Sequence, residues 1–145
     1  MNKPKYFEIS EFLKSDTALK KRIENIPDDW QVIENLLDLA LFLDGIREAW
    51  GSGIRITSGY RSLKLNANVG GVNGSSHCFG LAADIKPVNG RMAEFEKFIR
   101  EYLKDKPFDT VIYEQSKSSG SRWIHIQHYS KKGEQRRRMF NMVAA

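Results

Sequence analysis

A chain of 145 residues, 41% hydrophobic and 28% charged, is long enough to bury a core and fits one domain, residues 1–145. Its single cysteine, Cys78, excludes an internal disulfide, and it has no apolar run long enough to cross a membrane or, within MNKPKYFEISEFLK, to serve as a signal peptide. The formal charge of +5 invites an anionic partner, yet the excess sits in the segment 131–145, where Lys131, Lys132, Arg136, Arg137 and Arg138 crowd together without any nucleic-acid-binding module.

In chain order, Glu8 to Leu13 predicts a first helix with Ser10 and Ser15 as caps, and Asp16 to Ile26 a second. Pro27 breaks that pattern, and Asp28 and Asp29 are placed to cap a long helix reaching Trp50. Ile33, Leu36, Leu37, Ala40, Leu41, Leu43 and Ile46 recur along it at helical spacing, giving a wide buried stripe. After Gly51 and Gly53 the period changes to two, so GIRITSGY reads as a strand. Residues 61–76 are rich in Asn, Gly and Ser and predict a functional loop, with Cys78 after it as a small buried thiol. LAADIKP is a short strand stopped by Pro87, and Arg91 to Lys104 is an amphipathic helix. DTVIYE and RWIHIQHY, separated by a polar loop, predict an antiparallel hairpin. The fold class is α+β: a small antiparallel sheet with helices on one face.

Strand alternation then separates the chemistry from the core. In RWIHIQHY, Ile124 and Ile126 share one face, while Trp123, His125 and Gln127 share the other; in LAADI, Asp84 is likewise opposed to Ile85. His77, Asp84 and His125 can therefore converge on the face without helices. Two imidazoles and a carboxylate suit zinc, which keeps a fourth position for water in catalytic sites. The spacing alone leaves a second reading open, in which Asp84 is a strand-end hydrogen-bonding group and the histidines are core residues.

SGYRS (58–62), LNANVGG (65–71), SSHCFGLAADI (75–85) and WIHIQ (123–127) together resemble the zinc D-Ala-D-Ala carboxypeptidase and dipeptidase family, which includes phage endolysins and shares its fold with the hedgehog signalling domain. The resemblance implies His77, Asp84 and His125 as ligands of one Zn2+ ion. It also places Arg61 beside the metal, where a guanidinium binds a substrate carboxylate or steadies the oxyanion, and brings Ser75, Tyr60 and Trp123 towards the substrate. The implied substrate is a D-amino-acid-containing peptide of peptidoglycan, cleaved by a monomeric carboxypeptidase or endopeptidase without a nucleic-acid partner. Synthesis in the cytoplasm, with separate release to the cell wall, is the matching expectation for location.

One position departs from the family pattern. Where relatives carry an acid three residues before the last histidine, this chain has Arg122, which cannot accept a proton because its pKa stays above ~12. Glu114 is the substitute base: if Ile112 pairs with His125, Glu114 stands opposite Trp123 on the metal face. The competing function is a zinc-containing binding module without turnover. His128, opposite to His125 by parity, reads as structural.

Overall fold

The computed structural model describes residues 3–144; Met1, Asn2 and Ala145, the outermost residues of the expected domain and basic segment, lie outside the described residues. Helix α1 spans Ile9–Leu13 and α2 spans Asp16–Lys21. Ser15 caps α2, its Oγ accepting from the Ala18 N–H, whereas Ser10 lies inside α1. The expected continuation to Ile26 fails because Arg22 adopts a left-handed backbone, φ 55°, whose N–H closes the helix on the Ala18 and Leu19 carbonyls. The following stretch is held by Asn25, which donates to the Leu13 and Tyr60 carbonyls and accepts from the Ser62 N–H.

Helix α3, Trp30–Trp50, begins as its sequence dictates: the Asp29 carboxylate accepts from the Gln31 N–H. Its core face is Val32, Leu36, Leu39, Ala40, Leu43 and Ile46; of the expected stripe, Ile33, Leu37 and Leu41 are only half-buried. The strands are β1 (Ile54–Ser58), β2 (Ala82–Pro87), β3 (Thr110–Ser116), β4 (Arg122–Gln127) and β5 (Arg138–Ala144), in the order β1-β2-β4-β3-β5. Between β1 and β2 the expected loop holds a short helix, α4 (Leu63–Asn68), because Ser62 accepts from the Leu65 N–H and caps it. Helix α5, Met92–Tyr102, follows β2.

The first four strands in this order pair antiparallel, as expected, but β5 runs parallel to β3, so the sheet is mixed. The basic segment is therefore tied to the sheet, although Arg136, Arg137 and Arg138 stay exposed. Arg136 grips the fully buried Asp109 (Nε–Oδ1 2.8 Å, Nη2–Oδ2 3.0 Å), Arg137 donates to the Leu103 and Lys104 carbonyls just past α5, and Arg138 reaches Thr110 Oγ1. Three arginines of the segment whose charge invites an anionic partner are also tethers holding β5 to the sheet.

One face of the sheet buries Ile85, Val111, Ile124 and Ile126 against Leu36, Leu39, Phe95 and Ile99 of α3 and α5. On the other face the register aligns Ser58, Asp84, His125, Ile112 and Phe140 in a single row across all five strands. Directly opposed residues share a face, so this row carries the candidate chemistry.

Candidate metal centre

Asp84 and His125 stand directly opposite each other on β2 and β4, and His77 enters from a 3-10 turn, Ser76–Phe79. Ser75 caps that turn, its Oγ accepting from the His77 N–H at 3.2 Å. Gly80 ends it at φ 72°, and a Cβ there would lie 2.7 Å from the Val32 carbonyl, so the turn packs against α3 only because residue 80 is glycine.

Each imidazole has one nitrogen committed and one free. His77 Nδ1 meets the Gly59 carbonyl at 2.8 Å; a carbonyl can only accept, so Nδ1 carries the proton and Nε2 offers its lone pair. His125 Nε2 meets the Gln127 amide oxygen at 2.7 Å, which leaves Nδ1 as the lone pair. Both free nitrogens lie 3.4 Å from Asp84 Oδ1, a buried oxygen that no hydrogen-bond donor reaches. Burial pushes the Asp84 carboxyl up, but the facing imidazoles outweigh it and hold the group well below the usual carboxylate range. Burial pulls His125 down, and the Asp84 carboxylate more than reverses that.

An ionised carboxylate oxygen this close to two imidazole nitrogens needs a positive charge among them, supplied by a proton on an imidazole or by a metal cation. Ligands at ~2.0–2.1 Å in a tetrahedral shell are separated by about 3.3–3.4 Å, which the two 3.4 Å nitrogen–oxygen separations match. The second nitrogen of each histidine is hydrogen-bonded to an oxygen, as metal-binding imidazoles almost always are. The donor set therefore fits a metal ion, with all three ligand atoms within 4.8 Å of one another.

The family model described as Peptidase M15 matches residues 5–127. The chain belongs to the peptidase M15 family. This is the D-Ala-D-Ala carboxypeptidase-like family of metallopeptidases. No curated protein matches it significantly.

In this M15 peptidase the other expected residues fall around the centre unequally. Arg61 is beside it: Nη2 lies 3.6 Å from Asp84 Oδ2, Nε donates to Ser58 Oγ and Nη1 to Asn66 Oδ1. Tyr60 and Arg61 line a cavity of about 490 Å³ next to β1. Glu114 and Trp123 are register partners on the metal face, as the hairpin pairing predicts. Burial pushes the Glu114 carboxyl up and the Asp84 charge adds to this, against His125, Trp123 and His77. Ser75 serves the site by positioning His77. Arg122 is not at the M15 site: on the helix side of β4 by parity, it pairs with Glu96 of α5. His128 is structural, stacked on Phe42 and bonded to Asp38 at 2.8 Å. Cys78 is half-exposed, not the expected buried thiol, because the turn sends His77 inwards and its neighbour outwards.

Sequence reasoning missed the groups that support these side chains: the Gly59 carbonyl, Gln127, Ser58 and Asn66. Alternation had already put Gln127 on the face of His125, and that was the available signal. Asn66 gave none, since it meets Arg61 five residues away only through the turn into α4, and Gly59 gave none, since its contact with His77 spans 18 residues.

Proposed function

We propose that the protein is a zinc-dependent peptidase that hydrolyses D-amino-acid-containing peptide bonds of peptidoglycan or its precursors. The observation carrying this reading is the pair of free imidazole nitrogens converging on the orphaned Asp84 oxygen. Two imidazoles and one carboxylate suit zinc better than calcium or magnesium, which take oxygen donors. His77, Asp84 and His125 would hold the zinc ion, which would supply Lewis acidity towards the scissile carbonyl and a water. Glu114 takes the proton of the attacking water and returns it to the leaving amine, a role suited to a half-buried carboxyl with a raised pKa. Arg61, fixed by Ser58 and Asn66, anchors a terminal carboxylate or steadies the oxyanion. The position of Arg122 supports Glu114 further, since residue 122 faces α5 and is not where a base could act.

The test is to incubate zinc-loaded protein with purified peptidoglycan and identify new termini by mass spectrometry, with His77→Ala as control. New termini that depend on His77 are expected. Intact wall and intact D-Ala-D-Ala peptides, from protein that nevertheless binds zinc, would instead establish the binding module without turnover.

A further inference from the structure

The metal face does not end at the metal. Beyond His125 its row continues through Ile112 of β3 to Phe140 of β5, and the neighbouring row runs from Trp123 through Glu114 to Met142. Ile112 and Trp123 are half-buried, and Phe140 and Met142 remain 37% and 44% exposed, an apolar shelf flanking the proposed base. Phe140 and Met142 lie outside the matched family region, which stops at Gln127. Yet β5 is firmly held, by Arg136 on Asp109 and by Arg137 on the carbonyls past α5. Arg138 lies over the Phe140 ring, 5.8 Å from its centroid, at the far end of the shelf.

We propose that Ile112, Trp123, Phe140 and Met142 form a subsite for aliphatic side chains on the acyl side of the scissile bond. This rests on the peptidase reading above. The occupant follows from polarity across the sheet. Arg61 and its cavity lie towards β1 and suit the carboxylate of the leaving half, so the acyl half extends the other way, over β3 and β5. The shelf is continuous with His125 through one row of paired residues, and the cation against it, Arg138, donates to Thr110 Oγ1.

The test compares two peptides, Nα,Nε-diacetyl-L-Lys-D-Ala-D-Ala and Nα-acetyl-Gly-Gly-D-Ala, the second lacking side chains on the acyl side. Phe140→Ala/Met142→Ala is expected to lower kcat/KM for the first about tenfold, mainly through KM, and to change the second less than about twofold. Val143→Ala, on the other face of β5, is the control and leaves both unchanged. Equal losses on both peptides, or none on either, overturn the subsite. So does a changed sedimentation coefficient for the double variant, which would mean that a second copy of the chain covers the shelf. If the wild type cleaves neither peptide, the D-Ala-D-Ala carboxypeptidase form of the peptidase reading falls by itself. The shelf is then read from the 13C-methyl resonance of Met142 on adding the diacetylated peptide, where a shift supports the subsite and an unmoved signal overturns it.

Discussion

Gln127 and Glu114 both owe their proposed roles to what faces them. Gln127 is 5% exposed and accepts from His125 Nε2, holding the imidazole with Nδ1 towards Asp84. Replacing it by Leu should weaken zinc binding roughly 10–100-fold, whereas Glu, which keeps the acceptor, should retain affinity; competition against a chromogenic chelator reads both. For Glu114, the Gln variant should lose about 10²–10⁴ in kcat and still bind zinc. The sign of the pH effect follows from its role and environment. A base works only when deprotonated, and burial raises this carboxyl, so kcat/KM should decline on the acid side already above the ordinary glutamate range. A profile that stays flat until well below that range would remove Glu114 as the base.

At the scale of elements, β5 shows how a basic run becomes a strand. Alternation along RMFNMVA sends Met139 towards the core and Phe140 and Met142 to the open face, but only pairing with β3 makes that pattern matter. The tether is Asp109. Burial pushes its carboxyl up, while hydrogen bonds from Arg136 and Thr110 outweigh burial and hold it below its ordinary value. A folded-state value below the unfolded one means that the ion pair stabilises above the ordinary carboxylate range and is lost as pH falls through the folded value. Asp109→Asn should therefore cost about 1–3 kcal/mol near neutral pH. Thermal melts across pH should show that difference shrinking in acid.

For the whole molecule, the proposed zinc ligands come from a turn and two strands that meet only when the chain is folded, so binding zinc is linked to folding. Free zinc at about 100 times its Kd would add roughly 2.7 kcal/mol of stability. A chelator should lower Tm in the wild type and leave His77→Ala unmoved; equal shifts in both would show that the ligand set is wrong. No helix among the described residues is long and apolar enough to cross a membrane.

Much of this was legible before any coordinates. Strong local signals, namely the Asp29 cap, the stripe of α3, and the two-residue alternation in RWIHIQHY and LAADI, determined the long helix, the hairpin and the face on which Asp84 and His125 stand. They sufficed because caps and periodicity are properties of neighbouring residues. Two things required tertiary structure: the parallel attachment of β5 and the free nitrogen of His77. Each depends on a partner far along the chain, namely Asp109 for Arg136 and Gly59 for His77. A charge in sequence is only a charge; whether it is solvent-facing, a tether or part of a site is decided by which distant group lies within hydrogen-bonding distance once the chain is packed.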